Sequence, residues 1–128
     1  MEIEKMKNYY CAIEATMSII GGKYKVLIIH ELIGKTLRYS ELQRLLPIAT
    51  PRMLSRQLKE LEEDGIINRV LYPVVPPKTE YSLTELGESL IPIIGALSQW
   101  GKDYYHGRGL PYPGEDHQLG NGMREDLP

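Results

Sequence analysis

Three prolines, at positions 73, 76 and 77, stand in the middle of the segment INRVLYPVVPPKTEYSL, which spans residues 67–83. Proline has no backbone N–H to donate, and its ring clashes with the preceding helical turn, so no helix can cross this point. The residues on either side, 67–72 and 79–83, are rich in β-branched and aromatic side chains, as is typical of strands. The segment therefore predicts a two-stranded hairpin with a rigid tip, and the helices must lie before or after it.

The segment just before the hairpin, TPRMLSRQLKELEEDG at residues 50–65, predicts an amphipathic helix. Thr50 is a suitable N-cap, Pro51 is tolerated at the first helical position, and Gly65 can adopt the left-handed turn that ends a helix. At 100° per residue one side of this helix carries Leu54, Leu58 and Leu61. The opposite side carries Arg52, Ser55, Arg56 and Lys59, so we expect the leucines to face the core and the cations to face solvent.

A shorter helix is predicted before it, in YSELQRLLP at residues 39–47, with Ser40 as N-cap, Gln43 completing a capping box, and Pro47 ending the helix. Two helices joined by a tight turn form a helix-turn-helix, and a hairpin that follows the second helix is the wing of a winged helix. The predicted fold is therefore mainly α with a small β-hairpin.

Helices are also expected at both ends of this motif. Apolar residues at Tyr10, Ile13, Met17 and Ile20 predict a helix over 9–20, and KYKVLIIHELIG at 23–34 predicts a buried one with Gly34 as C-cap. A last helix is expected from Thr84 to residue 106, bent at Pro92. From Gly107 onward glycine and proline are dense and no period is visible, so we expect a winged helix-turn-helix domain with dimerisation helices over 1–106 and a flexible tail over 107–128.

Positive charge is concentrated in the helix-turn-helix segment. Residues 35–59 hold six Lys or Arg residues and one acid, Glu41, a net charge of +5, whereas the whole chain has a net charge of -2. An α-helix fits the major groove of DNA, where residues near the helix start come closest to the bases. We expect a double-stranded DNA-binding regulator with base or near-base contacts from Arg52, Met53, Ser55 and Arg56. Phosphate contacts are expected from Arg38, Arg44 and Lys59, and further contacts from Thr50 at the helix start and from Arg69 and Lys78 on the wing.

The alternative function is a winged helix that binds an acidic protein instead of DNA. An enzyme is not expected, because the sequence has no Ser-His-acid order, glycine-rich phosphate loop or paired carboxylates in an apolar setting. Cys11 is the only cysteine, and His106 and His117 lack partners at helical spacing, so we expect no metal and no cofactor. No apolar run approaches the ~20 residues that cross a bilayer, so we expect a cytosolic protein with no membrane partner.

The last helix carries a heptad-like apolar seam at Leu86, Leu90, Ile93, Leu97, Trp100 and Tyr104. Such a seam either packs on its own domain or pairs with a second chain. We expect a homodimer formed through both terminal helices, with contacts from Tyr10, Ile13 and Met17 and from Leu90, Ile93, Leu97, Trp100 and Tyr104. A two-fold dimer would present two recognition helices ~34 Å apart to a pseudo-palindromic operator.

Several motifs in the same order resemble the HxlR-type branch of the MarR-like winged-helix transcription regulators, over about residues 11–100. They are Cys11, IIGGKYK at 19–25, LRYSEL at 37–42, TPRMLSRQLKELEEDGIINR at 50–69, YPVVPPKTEYSLTELG at 72–87 and Trp100. The resemblance implies a dimeric cytoplasmic regulator of bacteria or archaea, often responsive to redox or electrophile stress. Two positions depart from the family pattern, which usually has Trp at Tyr24 and Pro at Ala12.

Cys11, near the start of the first helix, has two interpretations. The helix dipole and the nearby Lys5 or Lys7 favour the oxidisable thiolate, and the resemblance implies that oxidant-sensing members use a cysteine here. Sensing would then proceed through a mixed disulfide, an adduct with an oxidant or small-molecule effector, or a bridge between the two Cys11 thiols of a dimer. The other interpretation is a small, buried apolar residue.

Overall fold

The structure, a computed structural model, describes residues 8–115, and the chain divides into two compact units after Ser89. The elements of the first unit are α1 (Ala12–Ile20), α2 (Lys25–Glu31), β1 (Leu37–Arg38), α3 (Tyr39–Leu45), α4 (Pro51–Glu63), β2 (Ile67–Tyr72), β3 (Lys78–Leu83) and α5 (Glu85–Glu88). The second unit holds α6 (Ile91–Gly107) and the described residues that follow it. The predicted order of helices, hairpin and terminal helix is confirmed.

The core of the first unit lies where α2, α3 and α4 meet. Its largest fully buried side chains are all aliphatic: Ile28, Ile29, Leu32, Leu42, Leu54, Leu58 and Leu61. Three come from α4, as the helical wheel predicts. The helix α2 is not buried all round, because Leu27 and His30 on it are exposed. This core fixes the inner face of α4 and leaves its outer face open.

Both ends of α4 are closed by local hydrogen bonds. The Thr50 hydroxyl accepts a hydrogen bond from the Met53 amide at 3.2 Å, and Pro51 is the first helical residue, as predicted. At the other end Gly65 has a φ of +76°, and the Ile66 amide donates to the Leu61 carbonyl at 2.9 Å. A left-handed glycine followed by this hydrogen bond from Ile66 back to Leu61 is a Schellman motif. Helix α4 and the hairpin are therefore joined by a turn of fixed geometry.

The hairpin is antiparallel, with register from Ile67 opposite Leu83 to Tyr72 opposite Lys78. A third strand, β1, pairs with the outer side of β3 and places Arg38 opposite Glu80, giving the order β1-β3-β2. Strand β1 was not predicted from the sequence, since a strand of two residues is too short to show a period. This strand anchors the start of α3 to the wing.

The predicted start of α3 is wrong by two residues. Arg38 is the N-cap, and its amide donates to the Glu41 carboxylate Oε1 at 2.7 Å. Ser40 lies inside the helix as its second residue, so the expected Ser40–Gln43 capping box does not form. Pairing of Leu37 and Arg38 with β3 explains the shift, because the helix can begin as soon as the strand ends.

The predicted single helix from Thr84 to residue 106 is two helices. Thr84 caps α5 through the Gly87 amide at 2.9 Å, as expected of an N-cap, but α5 ends at Glu88. Helix α6 begins at Ile91 with Pro92 as its second residue, where the missing N–H costs nothing. Pro92 therefore starts a helix instead of bending one.

Helix α6 ends at Gly107, where the predicted tail begins, and residues after it fold back against its side. The Lys102 ammonium lies 5.3 Å from the Tyr112 ring centroid, and His106 Nε2 lies 2.7 Å from the Glu115 carboxylate. The hydrogen bond with His106 lowers the pKa of Glu115 below its ordinary value. Tyr112 and Glu115, both within the predicted tail, thus contact α6, and residues 116–128 lie outside the described residues.

Candidate nucleic-acid interface

The outer side of α4 carries Arg52, Ser55, Arg56 and Lys59, which we call the basic face, and all four are exposed. Within residues 8–115, none of the three cations forms an ion pair with an acidic side chain. Glu62 and Glu63 lie near the C-terminal end of the same helix and are also exposed. The unneutralised cationic surface of this face attracts a polyanion, whereas the acidic C-terminal end of the helix repels it.

The inner side of α4 is tied to α2 by two polar contacts that the sequence analysis missed. Gln57 is 3% exposed, and its Oε1 accepts a hydrogen bond from the Tyr24 amide at 2.8 Å. Lys25 is also buried, and its ammonium lies 2.9 Å from the Glu60 carboxylate. These two directional contacts add to the packing of the three leucines and help to fix which side of α4 faces solvent.

Tyr39, the first residue of α3, connects the two helices of the helix-turn-helix. Its hydroxyl lies 3.2 Å from the Pro51 carbonyl oxygen and 3.1 Å from Ser55 Oγ. Both partners belong to the first turns of α4, close to the end that would approach a ligand. Tyr39 was not predicted to have a role, because a lone tyrosine in a helix carries no distinctive sequence signal.

The other residues of the two helices that are expected to contact DNA are exposed or partly exposed. Arg38, Arg44 and Thr50 are exposed, and Met53 is partly buried. Arg38 begins α3, Arg44 lies near its C-terminal end, and Thr50 caps α4. Their exposure is compatible with the expected DNA contacts, which remain predictions.

On the wing, Lys78 has partners of its own. Its ammonium lies 4.8 Å from the Tyr72 ring centroid and 3.8 Å from a Glu80 carboxylate oxygen. A hydrogen bond between Tyr72 and Glu80 raises the pKa of the Tyr72 phenol. The tip itself, including Val74 and Val75, is exposed and apolar. Lys78 is thus partly occupied by its own strand neighbours.

Arg69 lies at the base of the wing, opposite Tyr81 in the register of β2 and β3. Burial raises the pKa of the Tyr81 phenol, and a hydrogen bond and the positive charge of Arg69 act in the opposite direction. A groove runs between α4 and the wing at this point. It is lined by Tyr39, Ser55, Lys59, Glu62, Arg69 and Tyr81. Arg69 therefore belongs to this groove and not to the wing tip.

Two apolar stripes lie outside the helix-turn-helix. On α1 and the residues before it, Tyr10, Ile13 and Met17 are exposed, with Tyr10 at 91%. On α6, Ile93, Leu97, Trp100 and Tyr104 are exposed, and Leu90 just before the helix is partly buried. The Trp100 and Tyr104 rings stack at 5.3 Å between centroids, and the Arg108 guanidinium lies 4.5 Å from the Tyr104 ring centroid. Contiguous exposed apolar side chains of this kind mark interaction surfaces.

Cys11 is the N-cap residue of α1, and its thiol is free and exposed. The interpretation of Cys11 as a buried apolar residue is therefore wrong for the single chain. The lysines expected beside it, Lys5 and Lys7, lie outside the described residues. An exposed thiol at a helix N-terminus is accessible to oxidants.

Two further features to consider in residues 8–115 are a metal-binding cluster and a membrane-spanning helix. No group of three or more His, Cys, Asp or Glu side chains there is arranged to hold a metal ion. None of the helices in this range is long and apolar enough to cross a membrane.

Comparison with known proteins agrees with this geometry. Residues 19–108 match the family model described as HxlR-like helix-turn-helix. An uncharacterised HTH-type transcriptional regulator of Methanothermobacter thermautotrophicus is 52% identical over 97 residues, which cover 76% of this chain and 74% of the relative. The HTH-type regulator YkvN of Bacillus subtilis is 50% identical over 99 residues, covering 77% of this chain and 84% of YkvN.

Solved structures show the same fold. The crystal structure of the HTH-type transcriptional regulator YtcD is 49% identical, has a TM-score of 0.71, and covers 73% of this chain and 96% of its own. The redox regulator HypR in its oxidised form is 46% identical, with a TM-score of 0.69 over 73% of this chain and 96% of its own. The winged-helix fold and the family resemblance predicted from the sequence are confirmed.

Proposed function

Because the chain belongs to the HxlR-like helix-turn-helix family of transcriptional regulators, we propose that it regulates transcription by binding specific double-stranded DNA through the basic face. The observation that carries this proposal is the exposure of Arg52, Arg56 and Lys59 without an acidic partner in the described range. Cations held in place but not neutralised retain their full attraction for phosphates. A regulator of this kind acts in the cytoplasm.

In this proposal α4 enters the major groove by its N-terminal end. The two arginines and Ser55 and Met53 then come within reach of base edges, where an arginine can donate two hydrogen bonds to guanine. The acidic residues Glu62 and Glu63 remain at the distal end, away from phosphates. Arg38, Arg44, Thr50 and Lys59 contact the backbone and fix the register.

The wing makes a smaller contribution. Arg69, in the groove between α4 and the wing, is suited to a backbone phosphate on the side of the recognition helix. Lys78 is held by Tyr72 and Glu80, so it can contact DNA only by giving up part of those interactions. Its substitution should therefore affect affinity less than substitution of Arg56.

A homodimer would complete the DNA-binding unit. The exposed stripe of α1 and the stripe of α6, with Trp100 at 68% exposure, supply apolar surface that a second copy can bury. A two-fold axis through such an interface repeats the recognition helix, and a pseudo-palindromic operator would match this symmetry.

We also propose that Cys11 makes DNA binding responsive to oxidants or electrophiles. Support comes from the exposed thiol at the start of α1 and from the similarity to a protein named as a redox regulator. With a single cysteine in the chain, the modified form is an adduct, a mixed disulfide, or a Cys11–Cys11 bridge between protomers.

The test is the salt dependence of affinity for duplex DNA. Neutralisation of several phosphates releases counterions, so the logarithm of the binding constant should fall steeply with the logarithm of salt concentration, by about 0.9 per phosphate contact. The competing function is a module that binds an acidic protein. Absence of measurable duplex binding at low salt would contradict the proposal and favour that alternative.

A further inference from the structure

The hydrogen bonds of Tyr39 determine which atoms of Ser55 remain available to a ligand. The Tyr39 hydroxyl contacts both the Pro51 carbonyl oxygen, at 3.2 Å, and Ser55 Oγ, at 3.1 Å. A carbonyl oxygen can only accept, and a phenol has one proton to donate. For both contacts to be hydrogen bonds, Tyr39 must donate to Pro51, and Ser55 must donate to Tyr39.

This arrangement consumes the single proton of the Ser55 hydroxyl. The Ser55 oxygen can still accept a hydrogen bond through a free lone pair, but the side chain has no proton left to donate. Phosphate oxygens carry no proton at neutral pH, so Ser55 in this state cannot hydrogen-bond the DNA backbone. Its partner must be a hydrogen-bond donor.

In the major groove only two bases present such a donor. Adenine exposes its N6 amino group and cytosine its N4 amino group, whereas guanine and thymine present acceptors, and thymine also a methyl group. We infer that Ser55, oriented by Tyr39, selects an amino-bearing base, adenine or cytosine, at one position of each operator half-site. This inference rests on the proposed function and specifies one part of it.

The position of Ser55 supports a direct role. It is exposed on the side of the basic face that borders the groove towards the wing, one helical turn before Lys59. It also lies in the second turn of α4, within the part of the helix expected to approach base edges. Tyr39 is then a positioning residue, which acts on the base only through Ser55.

The test is selection of bound sequences from a library of randomised duplexes, followed by sequencing. The wild-type protein should prefer adenine or cytosine over guanine and thymine by about 3- to 10-fold at one position per half-site, as expected for one hydrogen bond. Ser55→Ala should remove the preference at that position alone. Tyr39→Phe should weaken it and admit guanine and thymine, because the freed Ser55 proton can then be donated.

Two further variants separate positioning from a general structural effect. The double variant Tyr39→Phe/Ser55→Ala should select the same sequences as Ser55→Ala. Tyr9→Phe makes the same chemical change outside the helix-turn-helix and wing, and should leave the selected sequences unchanged. Thermal unfolding of each variant shows whether it is folded at the temperature of the selection.

Three results would overturn the inference while leaving the proposed function intact. In the first, the wild-type protein binds selectively but Ser55→Ala changes the preference at no position. In the second, the position that depends on Ser55 prefers guanine or thymine. In the third, Tyr39→Phe lowers the affinity but leaves the base preference unchanged. A wild-type protein that selects no sequence at all would instead contradict the proposed function, and the inference with it.

Discussion

The side-chain oxygen of Gln57, on the inner side of α4, accepts a hydrogen bond from the backbone amide of Tyr24, the N-cap residue of α2. Because the first amides of a helix have no partner within the helix, α4 satisfies a group that α2 would otherwise leave buried and unpaired. The recognition helix is thus oriented by a bond to the centre of the domain as well as by leucine contacts.

Replacement of Gln57 should lower stability. Gln57→Ala leaves the buried Tyr24 amide without its acceptor and opens a small cavity, so the free energy of unfolding should fall by about 1–3 kcal/mol. Urea unfolding followed by circular dichroism measures the change. Gln43→Ala, in α3, is the matched control and should have a smaller effect. Equal stability of the two variants would show that the Gln57 bond is unimportant.

Replacement of Arg56 should weaken operator binding without affecting the fold. If Arg56 donates two hydrogen bonds to a guanine, Arg56→Ala should lose about 1–3 kcal/mol of binding free energy and relax the preference at that base pair. Fluorescence anisotropy with operator and mutated-operator duplexes measures both effects. Lys23→Ala removes the same charge from an exposed turn before α2 and serves as the control. Operator affinity that is equal for both variants would exclude Arg56 from the recognition surface.

An acidic residue in the exposed stripe of α6 should disrupt a dimer. In Leu97→Asp an unpaired carboxylate would be buried at the interface, at a cost of about 3 kcal/mol or more, which corresponds to a roughly 100-fold weaker self-association. Sedimentation equilibrium measures the change. Val75→Asp makes a similar change at an exposed apolar residue of the wing and should leave the oligomeric state unaltered. A monomeric wild-type protein at micromolar concentration would contradict the proposed dimer.

Removal of the thiol tests the redox part of the proposal. Wild-type protein treated with diamide or hypochlorite should show altered operator affinity that a reductant restores, whereas Cys11→Ser should show the same affinity before and after treatment. Gel-shift assays with and without oxidant compare the two proteins. A Cys11→Ser variant that still responds would mean that another residue, such as a methionine, is the target.

Sequence patterns predicted much of this molecule because several strong local signals agree. Pro51, Gly65 and the proline-rich tip restrict backbone conformation by themselves, so α4 and the hairpin were predicted almost to the residue. Ser40 failed as an N-cap because strand pairing of Leu37 and Arg38, a tertiary interaction, decided where α3 begins. The break before Ile91 was missed because Pro92 is compatible both with a bend and with a helix start.

The candidate site was predictable in part for a related reason. The helical spacing of the leucines and cations identifies which side chains of α4 face outward, because this spacing depends only on the sequence of α4 itself. The contacts of Tyr39 with Ser55 and of Gln57 with Tyr24 join residues 16 and 33 positions apart. Pairings at such separation depend on the relative placement of helices, which a single sequence does not reveal.

The central claim, that the basic face of α4 recognises specific duplex DNA, is tested most directly by sequencing genomic fragments that the purified protein retains, in parallel with an Arg52→Ala/Arg56→Ala variant. We predict that the wild-type protein enriches a small set of fragments sharing a pseudo-palindromic motif, and that the folded double variant loses this enrichment. Retention of fragments without any common motif, or the same motif from both proteins, would contradict the claim.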